Sequence, residues 1–169
     1  LNILKENLDS KTKYNHLLRI ALNKKTLSIS FRKRVKPNLN FDLRLVNLKR
    51  QKPEFKNLRY KEILKYLTKL DNSKTDIGLC TNNKIFETGT SNLLFVKNDK
   101  VFSPINKFYK GITYKFFSSK IKKIIKKDIF LNSLKEFDEI ILIGSGKGVT
   151  SVKTINQKKW KRKSFKFYN

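Results

Sequence analysis

Four places in this 169-residue chain combine residue types and spacing that could do chemistry: Lys56, Glu87, Gly111-Ile112-Thr113 and Gly144-Ser145-Gly146. Glu87 ends the short run Lys84-Ile85-Phe86. The turn residues Thr88-Gly89-Thr90-Ser91-Asn92 follow, and then the apolar run Leu93-Leu94-Phe95-Val96. A carboxylate in such company, with no obvious cationic partner in sequence, either holds a positively charged atom or faces water from a hairpin. Lys56 follows Phe55 between an extended approach and a helix start. An ammonium partly withdrawn from water loses basicity and becomes a nucleophile toward a carbonyl carbon. In a chain so rich in Lys, that position carries no information by itself. Gly111-Ile112-Thr113 opens a helix, where unpaired N–H groups and the positive dipole end suit an anion. A plain Thr cap after a glycine loop is an equally good reading. Gly144-Ser145-Gly146 follows the apolar strand Ile140–Ile143; the glycines let backbone approach a phosphate closely and Ser145 adds a hydroxyl. It is neither a P-loop, for want of Gly-Lys-Ser/Thr at the required spacing, nor a dinucleotide fingerprint, for want of the downstream helix and acid.

Taken together, these are the parts needed to hold pyridoxal 5'-phosphate. A lysine takes the aldehyde, a carboxylate keeps the ring nitrogen protonated, and two amide-bearing loops take the phosphate. The protonated ring is an electron sink when a group leaves the α-carbon of a small-molecule amino substrate. A lysine released from the aldehyde carbon then carries the proton.

These residues need strands and helices to position them. Residues 1–13 read as polar and weakly helical. Leu17 to Phe31 reads as a hairpin turning at Asn23-Lys24-Lys25, and Phe41, Leu43 and Leu45 alternate as a further strand. A helix is predicted from about Leu58 to Leu70, burying Leu58, Ile63, Leu64 and Leu67. Strands follow at 76–81, 84–87, 91–96 and 101–103, joined by tight turns at Asn82-Asn83 and Asn98-Asp99. A second helix is predicted from Gly111 to about Lys127 and a short one over Ser133–Glu136. Strands at 139–143 and 149–155 flank the glycine-rich turn, and the basic tail from Asn156 reads as peripheral.

Composition narrows the field. A net charge of +27 invites a nucleic-acid reading, yet only seven of the 40 basic residues are Arg, the side chain best suited to bidentate phosphate and base contacts. The Lys residues run through the whole chain with Asn, Ile, Phe and Tyr, as in compositional drift. The cluster Lys120–Lys127 has apolar residues at helical spacing and reads as a solvated helix face. Nonspecific polyanion affinity is expected; specific nucleic-acid binding is not. No apolar run approaches a membrane span, so no membrane partner is expected. The single Cys80, in Ile77-Gly78-Leu79-Cys80, excludes an internal disulfide. It reads as a buried structural thiol, in a reducing, cytoplasmic setting. The lone His16 has no acid–base partner in sequence.

The order Lys56, then Glu87 with Ser91-Asn92-Leu93-Leu94-Phe95, then Lys110-Gly111-Ile112-Thr113, then Asp138-Glu139 leading to Gly144-Ser145-Gly146 and Val149-Thr150-Ser151-Val152 resembles a known family. That family is the class IV (fold-type IV) pyridoxal-phosphate enzymes, which include branched-chain aminotransferases, D-amino-acid aminotransferases and aminodeoxychorismate lyases. The resemblance runs from about Leu17 to Ile155. It implies an α+β fold of the D-amino-acid-aminotransferase type: a hairpin-rich pseudo-barrel covered by helices, with a remnant of a small N-terminal domain over residues 1–50 and a large cofactor domain over 51–169. It implies Lys56 as Schiff-base lysine and proton shuttle, and Glu87 as partner of the pyridinium nitrogen. Gly111, Ile112 and Thr113, and Gly144, Ser145 and Gly146, would hold the phosphate, and Tyr60 would contact the ring. It also implies a homodimer.

The chain departs from the family pattern at Arg59, Tyr114 and Ser151, where Asn, Arg and Pro are usual. It has 55 residues before the lysine where the family has about a hundred, so it reads as a fragment or a shortened member. Among the family's reactions the Gly-Ser-Gly-Lys-Gly turn and Lys56-Asn57-Leu58-Arg59-Tyr60 lean toward aminodeoxychorismate lyase, which eliminates pyruvate to leave 4-aminobenzoate for folate synthesis. Transamination of branched-chain or D-amino acids is the close alternative. A non-enzymatic basic nucleic-acid-binding module is the alternative of another class.

Overall fold

A computed structural model describes residues 16–158 and 160–169. The weakly helical reading of residues 1–13 lies outside the described residues. The chain divides into two compact units, residues 1–34 and 35–169. In the first unit the hairpin stands as read: β1 (His16–Leu22) pairs antiparallel with β2 (Leu27–Lys33). Asn23 turns it by accepting the amides of Lys25 and Thr26 on its Oδ1.

The second unit is built on β3 (Phe41–Asn47), β4 (Thr75–Thr81), β5 (Lys84–Thr88), β6 (Asn92–Lys97), β7 (Lys100–Ser103), β8 (Ile124–Lys126), β9 (Glu139–Gly144), β10 (Gly148–Ile155) and β11 (Trp160–Lys161). They make one sheet in the order β5-β4-β3-β10-β9-β6-β7-β8, with β11 on β10. Two short helices supply parallel crossovers: α1 (Lys61–Leu67) joins β3 to β4, and α2 (Ile112–Lys120) joins β7 to β8. The chain after β8 then returns to the opposite edge. Ile85 donates its amide to the Ile129 carbonyl, Lys84 bridges Phe130, and Lys84 pairs with Asp128. Edge strands left open are pairing hazards, and this return covers β5 and bends the sheet toward a barrel.

Alternation explains the long apolar runs. Leu93, Phe95, Ile140 and Leu142 point into an inner cluster with Phe41, Leu43, Phe137, Val152 and Trp160. Their neighbours Leu94, Val96, Ile141 and Ile143 point outward against Tyr114 and Phe117 of α2. Ile77 and Leu79 pack on Ile63 and Leu67 of α1. Strands covered on both faces read as continuous hydrophobic segments rather than alternating ones. Each fully buried large aliphatic or aromatic side chain contributes about 1.5–3 kcal/mol. The two Asn-rich turns adopt left-handed backbone at both central residues, with φ of 49° and 58° at Asn82-Asn83 and 50° and 57° at Asn98-Asp99. That is the conformation two-residue hairpin loops require and Asn tolerates. Cys80 is buried and its thiol is pushed up to about 12 by desolvation, as suits a structural role.

Three expectations need correction. The helix expected over 58–70 shrinks to Lys61–Leu67, because Asn57 Oδ1 accepts the Arg59 amide in a turn ahead of it. The helix expected to reach Lys127 ends at Lys120, with Ile121 already extended at ψ 123°. Residues Ile124–Lys126 of the basic cluster are instead strand β8, paired to β7: the β-branched Ile124 and Ile125 fit a ladder better than a helix face. The tail is not peripheral either. Trp160 is 5% exposed and donates its indole N–H to the Phe137 carbonyl, and the buried Glu139 accepts from Ser164 Oγ and the amides of Phe167 and Tyr168.

Candidate active site

The N-terminal ends of β4, β6 and β10 and the C-terminal ends of β5 and β9 lie at one end of the sheet, because β4–β5 and β6–β9–β10 pair antiparallel while β10–β3–β4 run parallel. Glu87 lies there near the end of β5 and is only 3% exposed, so the reading of a hairpin Glu facing water is set aside. It does have a cationic partner, which sequence adjacency did not show: Arg50 Nε donates to Glu87 Oε1 at 2.8 Å. The same guanidinium donates from Nη2 to the Gly89 carbonyl at 3.2 Å, bracing the turn that follows the acid. The other oxygen, Oε2, accepts a long bond from the Tyr109 amide at 3.4 Å. Burial pushes the Glu87 carboxyl above its ordinary value, and Arg50 opposes that push. The sign is what a buried carboxylate with an incomplete set of donors must show.

Lys56 lies on the exposed loop between β3 and α1. Asn57 closes that loop by donating from Nδ2 to the carbonyls of Gln51, Lys52 and Phe55. The Lys56 ammonium stands 5.8 Å from the centre of the Tyr109 ring. Lys56 and Glu87 therefore both adjoin Tyr109, one at its ring and the other at its amide.

Tyr109 also begins the first glycine loop. Asn92 Nδ2 donates to the Tyr109 carbonyl at 2.6 Å and Asn92 Oδ1 accepts the Gly111 amide at 3.2 Å. A Cβ at Gly111 would stand 3.1 Å from that Oδ1, so the tight clamp explains the glycine. Gly111 is the N-cap of α2 with no side-chain cap bond, and Ile112 is 81% exposed. The first amides of α2 are thus open to an anion.

Gly144 closes the second loop against the same hairpin. A Cβ there would fall 2.9 Å from Ser91 Oγ and 3.3 Å from the Thr90 carbonyl. Ser145 and Gly146 occupy the turn between β9 and β10, with Ser145 exposed. Asn92 pairs with Ile143 in the sheet, so both glycine loops flank Ser91-Asn92. Tyr60 begins α1 and packs against the cluster of Ile63, Leu67, Ile77 and Leu79.

Sequence reasoning missed two cations. Arg50 and Lys147 reach acids 37 and 71 residues away, Glu87 and Asp76. The signal available for Arg50 was its type, one of seven Arg in a chain where Lys supplies most cations. Among the described residues no cluster of His, Cys, Asp and Glu could hold a metal ion, and no helix is long and apolar enough to cross a membrane.

The fold is shared with 4-amino-4-deoxychorismate lyase from Pseudomonas aeruginosa at 16% identity and a TM-score of 0.66, covering 88% of this chain and 64% of that one. It is shared with a branched-chain aminotransferase from Thermoproteus uzoniensis solved with norvaline, at 15% identity and 0.69, covering 89% and 57%. An aminotransferase from Brucella abortus bound to PLP matches at 20% identity and 0.63, covering 79% and 52%. This chain thus spans about half to two thirds of the length of these proteins. No curated protein matches. The family model for amino-transferase class IV matches residues 1–155, and the chain belongs to that family.

Proposed function

We propose that this chain carries the cofactor site of a class IV pyridoxal-phosphate enzyme. Pyridoxal phosphate is the family's cofactor, and Lys56, Glu87 and the two glycine loops are the residues that would hold it. The observation that carries the reading is the state of Glu87: a buried carboxylate with one oxygen held by Arg50 and the other by only a long bond, beside two glycine loops. An under-used, desolvated carboxylate oxygen is what a protonated ring nitrogen needs. When bound, the cofactor supplies an electron sink for bonds at a substrate's α-carbon.

The chain's own residues do the rest. Glu87 holds the ring nitrogen's proton, and Arg50 keeps Glu87 ionised against the cost of burial. The open amides of Ile112 and Thr113, with Ser145 Oγ and the Gly146 amide, bind the phosphate. Lys56 holds the aldehyde carbon through its amine and moves the proton at the substrate's α-carbon. Tyr60 is proposed to contact the ring. For the reaction we take elimination of pyruvate from aminodeoxychorismate, on the Gly-Ser-Gly-Lys-Gly turn and the Lys56-Asn57-Leu58-Arg59-Tyr60 segment. Transamination is the second reading, favoured by the fold shared with aminotransferases. Assembly as a homodimer belongs to the same proposal.

The test mixes purified protein with pyridoxal phosphate, follows the absorbance of bound cofactor, and reduces the sample with borohydride for peptide mass analysis. Label on Lys56 that is absent from Lys56→Ala supports the reading, and release of pyruvate separates elimination from transamination. No cofactor uptake, together with RNA binding that weakens steeply with salt, would replace it with the basic binding module.

A further inference from the structure

Lys147 lies in the turn between β9 and β10, yet its side chain is only 6% exposed. Its ammonium donates to Asp76 Oδ2 at 3.0 Å and lies 4.9 Å from the centre of the Phe41 ring. Asp76 is fully buried at the start of β4. Its Oδ1 accepts the Ile77 amide, and its Oδ2 also accepts the hydroxyls of Thr88 and Thr90. Thr88 Oγ1 in turn accepts the Ser91 amide at 2.8 Å. Ser91 is the residue whose hydroxyl backs Gly144. The strand end before the turn and the lysine within it are therefore referenced to one segment, Thr88–Ser91, directly after Glu87.

Lysine is a strongly hydrated cation, normally kept in water, and burying it is costly unless a partner meets it. A turn bounded by glycines, by contrast, has little stiffness of its own. Pre-organising a binding loop removes part of the ordering cost from the binding step.

We propose that the Lys147–Asp76 ion pair is a positioning clasp that locks the 144–148 turn in the shape that binds the cofactor's phosphate. The clasp rests on the cofactor reading above. It acts through the turn and touches neither the ring nor the substrate. Its loss therefore weakens recognition of the phosphate and leaves recognition of the aldehyde and ring intact.

The test compares pyridoxal phosphate with pyridoxal, which lacks the phosphate, on the full chain by absorbance and fluorescence titration. Lys147→Met alone leaves Asp76 buried with an unpaired charge and destabilises the fold, so the decisive protein is the double variant Lys147→Met/Asp76→Asn, checked by thermal unfolding. Its affinity for pyridoxal phosphate is expected to fall about tenfold or more, as supporting contacts around binding groups do elsewhere, with pyridoxal affinity unchanged. A folded double variant with wild-type discrimination between the two aldehydes overturns the clasp alone, and so does equal weakening of both. Wild-type protein that takes up neither aldehyde overturns the proposed function and the clasp with it.

Discussion

Glu87 and Glu139 are both buried acids on strands of the same sheet, 3% and 1% exposed, yet they are treated differently. Glu139 accepts three bonds from one segment: Ser164 Oγ at 3.1 Å and the amides of Phe167 and Tyr168 at 2.8 and 3.1 Å. It is a fastening for the C-terminal tail. Glu87 accepts one short bond from Arg50 and one long bond from Tyr109, and burial pushes its carboxyl up. Burial alone does not set the two acids apart. The number of donors each one meets does.

The largest test of that contrast is at the lysine beside Tyr109. Lys56→Ala is expected to cut turnover by about 10²–10⁴-fold with little change in stability, measured by steady-state kinetics and thermal unfolding. Turnover unaffected by this change would remove Lys56 from the chemistry. Next comes Glu87→Ala, expected to lower turnover by about a hundredfold while cofactor can still attach at Lys56. Unchanged rates there would end the electron-sink role. Glu139→Ala should do the opposite. It leaves buried donors unmet and is expected to cost about 2 kcal/mol of stability, while turnover per folded molecule stays the same. A loss of turnover without a loss of stability would erase the distinction between the two acids.

The smallest effect is a pH trend. Glu87 has its folded value raised above the ordinary 4.5, so between those two values the folded chain binds more protons than the unfolded one. Stability relative to Glu87→Gln should therefore fall as pH rises above about 4.5 and level off beyond the folded value. Arg50→Met removes the opposing charge and should carry the decline to higher pH. Denaturant melts across pH read both, and a flat difference between wild type and Glu87→Gln contradicts the shift.

Much of this was legible along the chain. The hairpin β1–β2, the Asn82-Asn83 and Asn98-Asp99 turns and the strand pairs around them follow from local residue types, because turn backbone and strand alternation are set within a few residues. Glu87 and the two glycine loops could be singled out for the same reason. The helix after Gly111 was overrun because Ile124 and Ile125 look helical beside their lysines and become a strand only when β7 lies alongside. The tail was misjudged because Trp160 meets Phe137, and Ser164 meets Glu139, only through the sheet.

The order of chemical residue types, the family resemblance and the local turns were determined by the amino-acid sequence alone. Only the tertiary structure decided that Arg50 meets Glu87 and that Lys147 meets Asp76. It also decided that the chain after β8 returns to cover the β5 edge. Ion pairs form between side chains that folding brings within a few ångströms, and a chain with 40 basic residues offers each acid too many partners for sequence to choose among.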